Sequence, residues 1–348
     1  DYVQRAGGEN NAYTTQDMTV YYESLPTENI DVALWLEADR MRSLTLNKKA
    51  LNVQRKVVVE EFKETCLGEP YGDVWHHLAP MVYTRHPYQM PTIGKEIAHI
   101  EGAELSDVKS FFERFYAPNN AVLVISGDVD VEAVYARVEH YFGDIEPSAL
   151  PLRRTYEQEP EQTSERRKVV RADVPLNGLY IAFPAAGRGS DAYYADCLLT
   201  DILAEGEASR LQQRLVKAQA LFSEIDAYTT ATIDPAMIVI EGKISEGRSF
   251  EEAESAVWAE LEALKTVPLG EWEWEKLQNR VEHSLVFAEM GASTKAANLG
   301  FFEWLGGAEA INEEPQAYRA VSAERLQARA QEIFRRERSS TLLYEAKA

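Results

Sequence analysis

The chain has 348 residues, enough for two or three domains. Lys and Arg number 36 against 57 Asp and Glu, and the resulting charge of −21 opposes duplex nucleic acid and anionic membrane surfaces. The longest charge-free stretch, 174–187, is too short to span a bilayer, and two cysteines, Cys66 and Cys197, support neither a disulfide framework nor a Cys-rich zinc site.

The chain opens on Asp1 rather than Met and shows no signal peptide, so further upstream sequence is expected. Ala6 to Asn11 reads as a turn, and the Thr, Tyr and Val residues of 13–25 as strand. Thr27 is placed to cap a helix to Leu44, with Ile30, Leu34, Ala38 and Met41 on one stripe. A second helix is predicted over 48–64, well buried at Val57-Val58-Val59. A loop carrying Pro70-Tyr71-Gly72 and His86-Pro87-Tyr88 follows. Ser106 opens a helix to Tyr116, the apolar run Ala121 to Ser126 reads as a buried central strand, and Val131 to Phe142 is helical. Residues 147–168, with Pro147, Pro151, Pro160 and many charges, read as a linker between domains 1–146 and 169–348. Beyond it come a strand at 179–183 and helices at 191–203 and 209–219.

A pattern then recurs. Asn11-Ala12-Tyr13-Thr14-Thr15 is echoed by Asp226-Ala227-Tyr228-Thr229-Thr230, about 215 residues on. Each is followed by a second strand (18–22 and 237–240) and two helices (28–44 and 48–64; 249–265 and 272–289). The repeated order predicts an α/β (α+β) chain of two related domains, each a mostly antiparallel sheet with helices packed on it.

On the 48–64 helix, Gln54 and Glu61 are seven residues apart and share a face with Val57 and Val58, with Glu64 near it. A carboxylate on an apolar helix face needs a paired arginine or a metal; the residues alone favour a helix-end acid facing solvent or a salt bridge. The repeat has Leu285 to Phe287 there, so any such site belongs to the first domain. The six histidines form no i, i+4 pair and no H-x-x-E-H, and each reads as structural.

The residues Gly7-Gly8-x-x-Asn11-Ala12-x-Thr14-x-x-Asp17-x-Thr19-x-Tyr21, Ala38-Asp39-Arg40 and Val57-Val58-Val59-Glu60-Glu61 resemble the first domain of the M16 peptidases. So do His86-Pro87-Tyr88-x-x-Pro91-Thr92-Ile93-Gly94, Tyr116-Ala117-Pro118-Asn119-Asn120-Ala121, Gly127-Asp128-Val129 and Tyr141-Phe142-Gly143. Ser209-Arg210-Leu211 is similar to the family's zinc-less second domain. The group includes pitrilysin, insulinase and the mitochondrial processing peptidase, and the resemblance implies the LuxS/MPP-like metallohydrolase fold. It also implies one zinc ion, for which Glu61 stands as one of three protein ligands, with Gln54 and Glu64 beside it. The other two ligands and the catalytic glutamate are expected upstream of Asp1, so the chain by itself is expected to be inactive.

In the complete protein the resemblance implies zinc-activated water attacking an unfolded peptide, with a glutamate as base. Asn11 and Ala12 match the edge strand that holds substrate. The family's substrate-holding arginine and tyrosine are replaced here by Val216 and Ser223. That departure implies a partner chain of the same family, as a homodimer or heterodimer, or a non-catalytic scaffold; a peptide-binding module using the edge strand alone is a third reading. Small members of the family imply a bacterial cytoplasm or periplasm.

Overall fold

Gly7 and Gly8 begin the first hairpin for a steric reason. Gly7 has φ +76°, and a Cβ on Gly8 would lie 2.5 Å from the Ser24 carbonyl oxygen and 2.6 Å from Leu25 Cβ. In the computed structural model, which describes residues 1–150 and 156–347, the elements are as follows in chain order. The first half contains α1 (Tyr2–Arg5), β1 (Glu9–Thr14), β2 (Thr19–Ser24), α2 (Ile30–Arg42), α3 (Lys48–Phe62), α4 (Val74–Val82), α5 (Ile97–Gly102), α6 (Leu105–Phe115) and α7 (Val131–Phe142). Then come β3 (Arg166–Ala172), β4 (Gly178–Ala185), α8 (Asp191–Ala204), β5 (Phe222–Thr229), β6 (Ala236–Ile244), α9 (Phe250–Thr266) and α10 (Glu271–Ala288). The chain closes with α11 (Ala292–Leu305), α12 (Glu314–Ala320), α13 (Ala323–Ile333) and β7 (Ser340–Ala346). Among the described residues, Lys63–Gly68 and Gln212–Ala218 are π-helical.

The contacts divide the chain into two units. One comprises Asp1–Glu61, Thr92–Thr155 and Leu285–Glu313. It holds a two-stranded antiparallel sheet, β1–β2, with Asn11 opposite Tyr22 and Ala12 opposite Tyr21. Ile30, Leu34 and Ala38 turn one stripe of α2 inward, and Arg137 of α7 pairs with Asp31 of α2 at 3.3 Å. The Tyr2 ring meets Trp35 edge-on at 5.2 Å.

The other unit comprises Phe62–Pro91, Tyr156–Ser284 and Glu314–Ala348. Its five-stranded sheet has the order β3-β7-β4-β6-β5, antiparallel except for β3–β7. β4 is buried along nearly its whole length because both faces of the sheet are covered. On one face Phe183 meets Trp258 of α9 and Phe334 beyond α13. On the other, Tyr180, Ala182, Val239 and Leu342 pack with Val74, Leu78 and Val82 of α4. A buried ion pair fixes α13 to α8: Arg329 donates to both oxygens of Asp196 at 2.6 and 2.8 Å, and the Ala186 N–H donates to the same carboxylate. Burial pushes the Asp196 carboxyl up, against the arginine that pulls it down.

The order strand, strand, helix, helix occurs twice, as β1-β2-α2-α3 and β5-β6-α9-α10. Other local expectations change. Pro26 holds an extended entry (φ −56°, ψ 140°), so Thr27 starts a single 3-10 turn instead of capping α2. The loop expected after residue 64 contains α4 and α5; Pro80 inside α4 hid its helical pattern, yet Val74, Leu78, Ala79 and Val82 are buried. Helix α6 starts one residue before Ser106, because Glu104 and Asp107 form the capping box. Val57 is 53% exposed instead of buried. Ala121 to Ser126 forms no strand ladder among the described residues, and Val122 and Leu123 are 44% and 47% exposed. An apolar run becomes a strand only where a neighbouring backbone bonds to it.

Within 147–168, residues 151–155, including Pro151, lie outside the described residues. Beyond them the chain is anchored. The Glu159 carboxylate accepts from the Thr84 N–H and hydroxyl and from the N–H groups of Arg85 and His86, at 2.7–3.0 Å. These four bonds hold its carboxyl below the usual range against the opposing cost of burial. No helix of the described residues is long and apolar enough to cross a membrane.

Candidate functional site: a strand edge and a glutamate-bearing helix

The β1–β2 register defines what β1 offers to a ligand. The Thr15 N–H donates to the Met18 carbonyl at 2.8 Å, which makes that a hydrogen-bonded pair. Bonded and non-bonded pairs alternate in an antiparallel ladder. Tyr13–Val20 and Asn11–Tyr22 are then bonded, and the N–H and C=O groups of Asn10, Ala12 and Thr14 face away from β2. Among the described residues β1 pairs only with β2, and it is exposed at every residue. The outward N–H of Ala12 donates at 2.8 Å to Oδ1 of Asn11, the side chain just before it. Asn11 and Ala12 therefore form one local device: an edge amide and the group that caps it.

Behind this hairpin lies a charged cluster that the sequence reading missed. Glu37 and Arg40 of α2 form an ion pair, and the Arg40 guanidinium lies 3.8 Å over the Tyr21 ring of β2. The Tyr21 hydroxyl shares a 2.7 Å hydrogen bond with that of Tyr116. Among the described residues, Oε2 of Glu23 and Nη1 of Arg40 are buried without a partner. Burial first, and then the neighbouring Glu37 carboxylate, push the Glu23 carboxyl up to about 7. Glu37 is also pushed up by burial, against the pull of Arg40. One arginine serves two carboxylates, and both are pushed up.

Helix α3 carries Gln54 and Glu61 on an exposed face with Val57, and Glu64 is exposed in the π-helical segment that follows. Among the described residues no group of three or more His, Cys, Asp or Glu is placed to hold a metal ion. A catalytic zinc needs three protein ligands, so the residues present do not fit a zinc site by themselves. The histidines are held elsewhere. His77 bonds Asp73 at 3.0 Å and the Lys168 ammonium at 2.9 Å. His86 is buried among the rings of Tyr83, Tyr88 and Tyr156.

In the second unit, Val216 lies half-buried in the π-helical segment and Ser223 at an irregularity in the β5–β6 register. The Ser223 hydroxyl donates to the Lys243 carbonyl at 3.2 Å. Val216 offers no hydrogen-bonding side chain and Ser223 spends its own on the neighbouring strand.

The hairpin–helix–helix order, used twice, and the exposed strand edge define a chain of the α+β class. The description "Insulinase (Peptidase family M16)" matches residues 1–94, and "Peptidase M16 inactive domain" matches residues 103–281. The chain belongs to peptidase family M16. It is 29% identical over 284 residues to the zinc protease PqqE of Helicobacter pylori, covering 79% of this chain and 62% of that protein. It thus spans less than two thirds of that relative's length. It is 24% identical to the uncharacterized zinc protease YmxG of Bacillus subtilis, over 95% of this chain and 79% of the relative. The crystal structure of a protease from Helicobacter pylori superposes with TM-score 0.93 at 25% identity, covering 99% of this chain and 83% of that one.

Proposed function

We propose that the chain is the peptide-holding part of an M16-type zinc endopeptidase that degrades or processes unfolded peptides. The observation that supports this reading is the outer edge of β1. The outward backbone groups of Asn10 and Thr14 and the outward carbonyl of Ala12 offer an extended peptide the bonds of a missing strand, with the Ala12 N–H held by Asn11 Oδ1. They lie in the stretch that matches the family's substrate-holding strand. Residues 1–146 and 169–348 would be its two repeats.

Glu61 would supply one zinc ligand, with Gln54 and Glu64 near it, and the remaining ligands and the catalytic glutamate would come from outside residues 1–348. The repeat itself supports such a segment. β7 lies between β3 and β4, and the unpaired run Ala121 to Ser126 stands 219 residues before β7 (340 − 121). At that offset the counterparts of β3, β4 and α8 would precede residue 1.

The reading is tested on the full-length protein. We expect about one zinc per chain, cleavage of an unfolded peptide, and loss of bound zinc in Glu61→Gln without loss of fold. Absence of both zinc and cleavage would exclude the enzyme. A second reading, a non-catalytic scaffold or partner subunit, draws on Val216 and Ser223 in place of the arginine and tyrosine. An enzyme lacking that pair would borrow it from another M16-like chain as a homodimer or heterodimer. Activity that appears only after mixing with such a chain would support the borrowed pair.

A further inference from the structure

Four polar side chains of the second unit form one chain of hydrogen bonds beside α4. Asp73 is the N-cap of α4 and stands four residues before His77, so the two share a helix face. The Asp73 carboxylate leaves the helix end uncapped. It accepts instead from Nε2 of His77 at 3.0 Å and from the Tyr344 hydroxyl of β7 at 2.5 Å. Strand alternation brings in the fourth group. Lys168, Val170 and Ala172 share a face of β3, and Val170 and Ala172 pack on the cluster that holds Val74 and Leu78 of α4. The Lys168 ammonium therefore meets α4, with Nζ 2.9 Å from Nδ1 of His77. Lys168 itself is exposed, on the strand at the edge of the sheet.

These bonds fix the state of the imidazole. An ammonium carries only donors, so Nδ1 of His77 accepts, and the ring proton sits on Nε2 facing Asp73. Burial first, and then the Lys168 charge, hold His77 below its ordinary range; the adjacent His76 acts the same way and Asp73 opposes them. Burial and the Asp73 carboxylate push the Tyr344 hydroxyl up, so it stays a donor. A carboxylate orients an imidazole, and the imidazole's free nitrogen meets a nucleophile that must lose a proton. That is the logic of a catalytic triad with an amine in the hydroxyl's place. We propose that Lys168 is an acyl-acceptor site, activated by His77 and Asp73, for an activated acyl donor: an acyl phosphate or an acyl thioester. The Lys168 ammonium gives one proton to Nδ1 of His77, and Asp73 stabilises the imidazolium. The freed lone pair attacks the acyl carbon, and the C–O bond of the acyl phosphate or the C–S bond of the thioester breaks. The departing phosphate or thiolate takes the second N–H proton, and His77 returns its own to water. The product is a neutral amide that keeps one N–H for His77. An ammonium holds its proton more tightly than an imidazolium, so the transfer is transient. The gain is about 10-fold, below that of a base acting on a bound substrate.

The test incubates the full-length protein with acetyl phosphate or with acetyl-coenzyme A and follows each acetylated lysine by peptide mass spectrometry. Lys168 is expected to react about 10-fold faster than Lys49, an exposed lysine of α3. Asp73→Asn offers Nε2 of His77 a donor and so turns the ring proton toward Lys168. That variant and His77→Gln should each bring Lys168 to the Lys49 rate. A pH series separates a base from a scaffold. The ratio of the two rates should fall as pH drops through the titration of His77, and it should stay flat in His77→Gln. Lys168-first labelling by both reagents supports an acceptor for either donor, and by acetyl phosphate alone an acceptor for the small one. Equal rates at Lys168 and Lys49 with both reagents overturn the proposal. So does a ratio that survives in folded Asp73→Asn and His77→Gln. The pH series on the unchanged protein needs no variant, so a flat ratio there overturns the proposal even if both variants unfold.

Discussion

The two hairpins, β1–β2 and β5–β6, start from nearly the same five residues and end in opposite environments. Tyr13, Tyr21 and Tyr22 are 39–47% exposed, whereas Met237, Ile238, Val239 and Ile240 are almost wholly buried. The turns differ, closed by Thr15–Met18 in one and Thr230–Met237 in the other, but in each a side-chain oxygen caps the next residue's amide: Asn11 Oδ1 for Ala12 and Asp226 Oδ1 for Ala227, both at 2.8 Å. What sets the environment is the neighbour. β6 lies between β4 and β5 in a sheet covered on both faces, while β2 pairs with β1 alone. Local sequence writes the turn and the cap; burial comes from the strands and helices supplied by other parts of the chain.

Truncation should separate the hairpins most sharply. Ile240→Ala in β6 is expected to cost about 3 kcal/mol of unfolding free energy, and Tyr22→Ala in β2 less than about 1 kcal/mol, as measured by urea denaturation. Comparable losses would mean that β2 is covered in solution.

The next effect is electrostatic and confined to the first hairpin. The unfolded Glu23 carboxyl titrates near its ordinary 4.5 and the folded one near 7. Between these values the folded state binds more protons, so its stability is full below pH 4.5 and falls as pH rises through 7. The group is half-buried and solvent-screened, so the loss is about 1 kcal/mol. Glu23→Gln should flatten this slope and raise the melting temperature at pH 8, with little change at pH 4. A parallel shift at both pH values would assign the effect to packing rather than to the proton.

The smallest effect exchanges the caps. Asn11→Asp and Asp226→Asn should each change stability by less than about 0.5 kcal/mol. Amide exchange at Ala12 and Ala227 should respond in opposite directions, slower under the carboxylate and faster under the amide. Equal exchange in all forms would mean that neither side chain caps its neighbour in solution.

Much of this fold was legible in the residues. The stripe of Ile30, Leu34 and Ala38, the strand at 179–183 and the repeat at Asn11 and Asp226 all carried through to the structure. The misread elements share one cause. Ala121 to Ser126 has the composition of a central strand, and Val57 the pattern of a buried face, but both need a neighbour outside their own sequence. α4 was hidden because Pro80 breaks the expected pattern, although packing on the sheet sustains the helix. At the site, Asn11, Ala12 and Glu61 were recognisable as residue types in a motif. The cluster of Glu23, Glu37 and Arg40 was not, because only packing brings these side chains of β2 and α2 together.

Sequence alone determined the helix periodicity, the repeated order of elements and the family. These depend on contacts between residues close in the chain or on motifs read directly. Tertiary structure decided which hairpin is buried and that Glu23 and Glu37 share one arginine, Arg40. Those outcomes depend on groups distant in sequence that share one sheet face or one positive charge.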